Sequence, residues 1–501
     1  MGMEPALIPE AVIAGKQKSF SLRPKVPLPP ETQNLSAASY AISTLLSVTP
    51  SNRFPSRSAF IDSSTSKPVA ISFPEFFSQV SSLSSALRHH SFFSFLSKGQ
   101  IAFVLSPTKI EIPVVYLALI AVGVIVSPSN PASTPQEIEY QINLTCPSII
   151  FVTSTAHLLP PNTKNVIHID SAFFKSLLTY ASQSSGNIHG DDDIIIPQSH
   201  PAFVLYSSGT TGRMKAVVIT NRNLISMMAN TKARYDEEQD MNPQVLLLPL
   251  PLFHVFGLSM MMRCILFGDT IVLMNRFDFI GMLRNIEQYL ITLIPVSPLL
   301  IVAMVKLDLV AKFNLSSLES VACGGAPLGR DLTSRFASRF PKVSIYQGYG
   351  FTESTAAVTT SDRREETLVY GSAGRLLNNL EAKIVDPVSG VVLGPGQPGE
   401  LWLRGPTIMA GYLGDEKATK STLDSEGWLK TGDLCKFDDD GFLFVVDRLK
   451  ELIKYKGYQV PPAELEHILH SHPEIDDAAV IPYPDEDAGE IPMAYVVKQP
   501  Q

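Results

Sequence analysis

Cysteine is scarce in this chain: among 501 residues there are 4, at Cys146, Cys264, Cys323 and Cys435. They lie far apart in apolar or mixed surroundings, with no Cys-x-x-Cys pair. A disulfide framework and a cysteine-ligated metal site are therefore disfavoured, and buried free thiols in a reducing compartment are expected. An excess of basic charge is also missing. Lys and Arg number 40 against 48 Asp and Glu, for a net charge of −8 and a pI near 5.7. That balance argues against nucleic acid or an anionic membrane surface as a general partner, so any phosphate site must be built locally. Long apolar runs are absent too. The longest, Ile112–Val126, covers 15 residues and contains Pro113 and Gly123, whereas a membrane span needs about 20. It reads as a buried helix leading into a strand in a soluble protein. The N-terminus, Met-Gly-Met-Glu-Pro-Ala, is no signal peptide and lacks the hydroxyl at position 6 that myristoylation prefers.

What is present suffices for a large core. Hydrophobic residues make up 45% of the chain and charged ones 18%, and the length predicts about three domains. After a Pro- and Ser-rich start of some 55 residues expected to wrap the surface, strand and helix patterns alternate. Ile101–Leu105 and Ile149–Val152 read as buried strands with a helix over Ile112–Ala121 between them. Val245–Leu248, Thr270–Leu273, Leu293–Pro295, Ser320–Ala322 and Ser344–Tyr346 read as further strand cores. This alternation predicts parallel α/β layers. Ser182–Asp193 has the composition of a loop or linker. From Glu381 the texture changes to short strands with Gly/Pro turns, a β-rich subdomain. Asp438-Asp-Asp-Gly441, between Phe437 and Phe442, predicts a hairpin turn rather than a calcium loop. Pro461-Pro462 opens a helix with Leu465, Ile468 and Leu469 on one face.

One segment carries chemistry of its own. Tyr206-Ser-Ser-Gly-Thr-Thr-Gly-Arg-Met-Lys215 follows the strand-like stretch from Ala202 to Leu205. Its glycines let backbone N–H groups turn inward, its hydroxyls add donors, and Lys215 adds positive charge. Together they suit a polyanion such as a nucleotide triphosphate, although an unliganded surface loop could have the same composition. A P-loop is excluded by spacing: Gly209 and Gly212 are three apart, and Ala216 rather than Ser or Thr follows the Lys.

Further motifs follow in order: Pro251-Leu-Phe-His254-Val-Phe-Gly257, Gly324-Gly-Ala-Pro327, Gln347-Gly-Tyr-Gly-Phe-Thr-Glu353, Lys430-Thr-Gly-Asp433 and Asp447-Arg-Leu-Lys-Glu-Leu-Ile-Lys-Tyr-Lys-Gly-Tyr-Gln459. The set resembles the adenylate-forming superfamily of acyl-CoA synthetases, luciferases and peptide-synthetase adenylation domains, from about residue 40 onward. Within it the chain looks most like plant 4-coumarate:CoA ligases and their peroxisomal ligase-like relatives.

The resemblance implies a large α/β N-terminal adenylation domain over 1–447, made of two layered subdomains and a β-rich one. A small, truncated α+β mobile domain over 448–501 would turn about a hinge at Lys450. It implies ATP-dependent activation of a carboxylate as acyl-AMP, followed by transfer to coenzyme A, with Mg²⁺ as the metal. Ser207, Ser208, Gly209, Thr210, Thr211, Gly212 and Lys215 would hold the β- and γ-phosphates. Thr352 would donate to the α-phosphate, Glu353 would hold Mg²⁺, and Tyr349 would stack on adenine. Asp433 would accept from the ribose hydroxyls with help from Arg448. His254 would line the carboxylate end of an acyl pocket that includes Phe256, Gly324, Gly325, Ala326 and Gly348. Lys454 and Gln459 would reach the reacting groups, and Lys456 and Gly457 would border the CoA tunnel. Taken singly, His254 could be a core histidine, Asp433 a turn residue, and Lys450–Lys456 a solvated strand.

Three departures from the family pattern modify these expectations. Met214 and Ala216 stand where Pro and Gly are usual, which predicts a looser phosphate loop crowded by a methyl group. Phe256 stands where hydroxycinnamate ligases commonly carry Tyr, which favours an unhydroxylated aromatic acid of the phenylpropanoid type or an aliphatic acid. A Ser-Gly-Lys run is nowhere in the sequence, which predicts impaired adenylation. A ligand-binding pseudo-enzyme, or an acyl-AMP-forming enzyme with another acceptor, is the alternative. The expected location is cytoplasmic or peroxisomal, and the oligomeric state is not legible.

Overall fold

The computed structural model describes residues 19–48, 57–64, 67–180, 194–207, 214–236, 243–455, 458–470, 472, 474–485 and 488–498. The expected linker at Ser182–Asp193 lies outside them. The chain divides into two compact units. One comprises Val26–Gly374 with Pro406–Glu426; the other comprises the stretch up to Lys25, Arg375–Gly405 and everything from Gly427.

The larger unit is built on two mixed sheets. In the first, the spatial order is Gly411–Tyr412, Lys215–Thr220, Pro201–Ser207, Ile125–Ser129, Ile101–Leu105, Ile149–Val152 and Val166–His168. Its inner strands pair in parallel, while Lys215–Thr220 is antiparallel to both neighbours. The second sheet includes, in order, Ala356–Thr360, Ser344–Phe351, Ser320–Cys323, Leu293–Val296, Val245–Leu248, Thr270–Leu273, Ser58–Asp62 and Val69–Ser72. Parallel strands covered on both faces must be apolar along their whole length, and Ile149–Val152 and Thr270–Leu273 are buried at every position. The apolar run at residues 112–126 resolves as expected into the helix Glu111–Ala121 and the strand Ile125–Ser129.

Helix Ala37–Val48 packs on Glu111–Ala121, Asn221–Asp236 and Val255–Phe267. Under the second sheet, Leu247, Ile294, Val321, Ile286 and Phe336 share one continuous cluster. Each such fully buried side chain contributes on the order of 1.5–3 kcal/mol before conformational entropy is set against it. One strand runs further than its apolar pattern predicts. Ser344–Phe351 continues through Gln347-Gly-Tyr-Gly-Phe because Ala356–Thr360 folds back on it, with a bulge between Tyr349 and Gly350.

The smaller unit is β-rich, as expected. Ser19–Phe20, Glu381–Val385, Gly399–Arg404, Leu429–Phe437 and Leu443–Arg448 form an antiparallel sheet in that order, with Val392–Leu393 also on Glu381–Val385. Asp438–Gly441 closes a hairpin: Asp438 Oδ1 accepts from the N–H groups of Asp440 and Phe442 at 3.1 and 2.8 Å, and Gly441 supplies a φ of 78°. A second sheet, ordered Tyr458–Val460, Ile453–Tyr455, Gly489–Lys498 and Ile475–Asp485, packs against the helix Pro462–His470.

The cysteines correct one expectation. Cys264, Cys323 and Cys435 are free and buried, and burial pushes the Cys323 thiol up to about 12, but Cys146 is exposed. It ends the helix Pro135–Thr145 in the left-handed conformation, at φ 44°, and that turn faces its thiol outward. No helix among the described residues is long and apolar enough to cross a membrane.

Candidate active site

The phosphate-loop residues start from a hairpin. Pro201–Ser207 and Lys215–Thr220 pair antiparallel with Ser207 opposite Lys215. The loop between them, with Ser208, Gly209, Thr210, Thr211 and Gly212, lies outside the described residues. Its base is well fixed. Tyr206 hydroxyl and Ser127 hydroxyl are 2.7 Å apart, and burial pushes the Tyr206 phenol up to about 12, so it stays a structural tie. On the other side, Met214 is held by the helix Pro135–Thr145. Tyr140 hydroxyl donates to its carbonyl at 3.4 Å, and Gln141 Nε2 donates to its sulfur at 3.0 Å. The methyl group of Ala216, expected to crowd the phosphates, instead packs into a core cluster with Ile125 and Val204. It sits opposite Tyr206 in the hairpin, so strand alternation carries it into the core.

The second part comes from the neighbouring sheet. After Phe351 the backbone tightens into a short 3₁₀ turn, Thr352–Ser354. Ser354 hydroxyl accepts from Phe351 N at 3.0 Å and donates to Ala356 O at 2.7 Å. Thr355 and Ala356 follow at φ 56° and 85°, left-handed values that non-glycine residues adopt only where surrounding contacts enforce them. This turn presents Thr352 and Glu353. Glu353 Oε1 accepts from Ser207 Oγ at 2.9 Å and from Tyr412 hydroxyl at 2.9 Å, while the Lys215 ammonium stands 4.6 Å from the centre of the Tyr412 ring. Three motif residues separated by up to 146 positions, Ser207, Lys215 and Glu353, are thus brought together. Burial, followed by the charge of Glu353, raises the Tyr412 pKa well beyond the ordinary phenol value, which keeps its proton available for donation.

Tyr412 was not among the residues the sequence pointed to. Its Gly411-Tyr412-Leu413-Gly414 setting reads as a turn, and only the Asp415 cap of helix Glu416–Thr422 hinted at ordered structure there.

Tyr349 lies just before this turn, its ring centre 5.8 Å from that of Phe351. The acyl-pocket candidates gather around Gly324. A Cβ built there would fall 3.4 Å from Gly348 O and 3.5 Å from Phe256 Cε1, so these three line one space. Gly325 and Ala326 are exposed in the turn that follows. His254 caps the helix Val255–Phe267, its Nδ1 accepting from Phe256 N at 3.2 Å. The residue is exposed to solvent, yet the hydration it does lose lowers its pKa below the ordinary histidine value. A neutral ring with its proton on Nε2 follows from the Nδ1 acceptor role.

The remaining candidates belong to the smaller unit. Asp433 lies opposite Arg448 in the antiparallel pairing, with Arg448 Nε 3.9 Å from Asp433 Oδ1 and Arg448 Nη1 3.2 Å from Glu451. Gly432, at φ 74°, accepts at its carbonyl from Leu449 N at 2.9 Å. Lys450 follows directly in the turn. Lys454 and Gln459 are register partners in a hairpin, and Lys454 N donates to Glu490 Oε2 at 2.7 Å. Lys456 and Gly457 lie outside the described residues.

The chain is similar to proteins of known family. The family model "AMP-binding enzyme" matches residues 49–413, and "AMP-binding enzyme C-terminal domain" matches 464–501. The chain is 49% identical over 490 residues to 4-coumarate–CoA ligase-like 9 of Arabidopsis thaliana, covering 96% of this chain and 85% of that protein. It is 43% identical over 493 residues to peroxisomal OPC-8:0-CoA ligase 1 of the same plant, covering 96% and 87%. Among solved structures it is similar to o-succinylbenzoate-CoA synthetase of Bacillus subtilis in complex with its acyl-adenylate intermediate. That match has a TM-score of 0.74 at 26% identity and covers 92% of this chain and 88% of that one. The same synthetase has been solved with ATP and a magnesium ion. The chain belongs to the adenylate-forming, AMP-binding enzyme family, alongside the plant 4-coumarate–CoA ligase-like proteins.

Proposed function

We propose that this AMP-forming acyl-CoA ligase activates an unhydroxylated aromatic acid of the cinnamate type, or an aliphatic acid, and transfers the acyl group to coenzyme A. The observation that carries the reading is the meeting of Ser207, Lys215 and Glu353 beside a hairpin loop of hydroxyls and glycines. A carboxylate and ATP are both anionic, so the site must neutralise charge while leaving a line of attack open at the α-phosphorus. Lys215, with Ser207, Ser208, Gly209, Thr210, Thr211 and Gly212, takes the β- and γ-phosphates. Thr352 donates to the α-phosphate and Tyr349 stacks on adenine. Asp433 accepts from the ribose, and Arg448 assists.

The residues fit a magnesium ion. Both hydroxyls on Glu353 go to Oε1, so among the described residues Oε2 meets no donor. No cluster of three ligating side chains stands elsewhere among them. A single carboxylate completed by substrate phosphates is how magnesium is usually held, and the ion supplies charge neutralisation across the phosphate oxygens.

For the acid, Phe256, Gly324 and Gly348 come together, and Phe256 offers no hydroxyl to a phenolic substrate. His254 borders its carboxylate end and moves aside for the thiol of CoA. In the second half-reaction that sulfur attacks the acyl carbon of acyl-AMP, the thiol proton leaves, and AMP departs. The segment 448–501 turns about Lys450 between the two steps, bringing Lys454 and Gln459 in for the first and the Lys456–Gly457 stretch in for the second. A cytoplasmic or peroxisomal setting fits the same reading, since one relative is named as peroxisomal. Nothing in the fold or the comparisons supports impaired adenylation.

The test is mass spectrometry of products from ATP, CoA and a panel of cinnamate, 4-coumarate and medium-chain acids. Acyl-CoA from cinnamate or an aliphatic acid in excess of 4-coumaroyl-CoA is expected. A preference for 4-coumarate overturns the pocket reading, and acyl-AMP without any acyl-CoA overturns the acceptor.

A further inference from the structure

The segment Pro406–Glu426 belongs to the larger unit although the chain on either side of it does not. It is tied down along its length. Asn223 Nδ2 donates to the carbonyls of Pro406 and Ile408 at 2.9 and 2.8 Å. Met409 N donates to Glu353 O at 2.9 Å, Ala410 N to Val218 O at 3.0 Å, and Leu413 N to Ala216 O at 2.8 Å. Gly411 and Tyr412 pair antiparallel with Val218 and Val217, on the strand that begins at Lys215. Tyr412 N donates to Thr419 Oγ1 at 2.9 Å. The strap therefore fixes the Glu353 backbone and the Lys215 strand to one another, with the Tyr412 side chain, 8% exposed, between the two charged groups.

A carboxylate and an ammonium this close to a common ring have an alternative: they could pair with each other. Phosphates and metal would then have to break that pair before binding. Among the described residues Lys215 and Glu353 form no ion pair, and each has a Tyr412 contact instead. We propose that Tyr412 is a positioning residue that holds Glu353 by its hydroxyl and Lys215 by its ring, keeping each separately available to the metal and to the phosphates. This rests on the reading of Glu353 and Lys215 given above. The two contacts differ in kind, so they can be removed one at a time.

The experiment is calorimetric titration of the full chain with ATP, with and without added magnesium, which needs no knowledge of the acid. Tyr412→Phe keeps the ring and loses the hydroxyl; Tyr412→Leu loses both. For Tyr412→Phe, metal-free ATP affinity stays within about twofold of wild type, while the gain in affinity on adding magnesium falls about tenfold. For Tyr412→Leu, metal-free affinity also falls, by about fivefold. A Tyr412→Phe protein with the wild-type magnesium gain overturns the inference, as does an equal loss of metal-free affinity in both variants. If Leu loosens the strap and lowers the melting temperature, Tyr412→Phe decides alone, because it preserves the packed ring. Glu353→Gln separates the inference from its foundation. If that variant keeps the magnesium gain, the metal reading itself has failed; if it loses the gain while Tyr412→Phe keeps it, only the role of Tyr412 has.

Discussion

Gly432 N donates to Glu400 Oε1 at 3.0 Å, so the turn that presents Asp433 hangs from a side chain on the adjacent strand. Trp402 Nε1 fixes the other oxygen of the same carboxylate at 2.7 Å, and Thr431 hydroxyl donates to Leu401 O at 2.8 Å. The turn carrying Asp433 is thereby fixed by neighbouring side chains. Glu400→Gln, which keeps shape and loses charge, should raise the KM for ATP by about tenfold with little change in kcat, since a hydrogen bond to a charged acceptor is worth roughly 1.5–3 kcal/mol. Loss of discrimination between ATP and 2′-deoxy-ATP in the variant would place the effect at the ribose. An unchanged KM would mean that the turn holds itself.

His254 gives a pH-dependent outcome with a definite sign. Crowding lowers its pKa in the folded state, so the unfolded chain takes up this proton first, near pH 6.5. The stability tied to the neutral ring is complete above about pH 6.5 and is lost as pH falls through the lower folded value. Protonation of Nδ1 also removes the acceptor that caps Phe256 N. Asn can cap in its place without titrating. Melting temperatures at pH 7.5 and 5.5 should therefore differ less for His254→Asn than for the native chain. The effect is small because the residue is exposed to solvent. An equal difference in both proteins would remove His254 from the pH response.

Two glycines near the site should behave in opposite ways. A Cβ on Gly350 would fall 2.0 Å from Ala356 O, a backbone atom of the paired strand, whereas one on Gly324 meets nothing nearer than 3.4 Å. Gly350→Ala must shift the strand that leads to Thr352 and Glu353. It is expected to cost about 2–4 kcal/mol and to abolish ATP binding. Gly324→Ala is expected to fold normally, to bind ATP as before and to discriminate against bulky aromatic acids, because its methyl group enters the space beside Phe256. Thermal melts and an acid panel measured on both variants check the contrast.

Phe256→Tyr adds a hydroxyl to that same space. If the space holds the acyl chain, the ratio of kcat/KM for 4-coumarate over cinnamate should rise several-fold, by roughly the 0.5–1.5 kcal/mol of one neutral hydrogen bond. A ratio that does not move would place the substrate elsewhere.

The sequence was most legible where local chemistry is unusual or periodicity is strong. The buried strands at Ile101, Ile149 and Thr270 read directly from their apolar runs. Elsewhere the deciding contact lay far along the chain. Tyr412 matters because Gly411–Tyr412 pairs with Val217 and Val218, and no local pattern announces that pairing. Ser344–Tyr346 reads as a strand core, and a partner strand extends it to Phe351. Ala216 looked like an obstruction beside the phosphates until its place opposite Tyr206 turned it into the core. Cys146 looked buried from its apolar neighbours until the left-handed turn at its own backbone faced it outward.

Ser207, Lys215 and Glu353 are proposed to form a site where a carboxylate attacks ATP. Acid-dependent exchange of labelled pyrophosphate into ATP tests it most directly, because exchange requires the adenylation step and nothing after it. Exchange above background is expected with at least one aromatic or aliphatic acid, and its loss in Lys215→Ala and Glu353→Gln. A chain that binds ATP yet gives no exchange with any acid would contradict it.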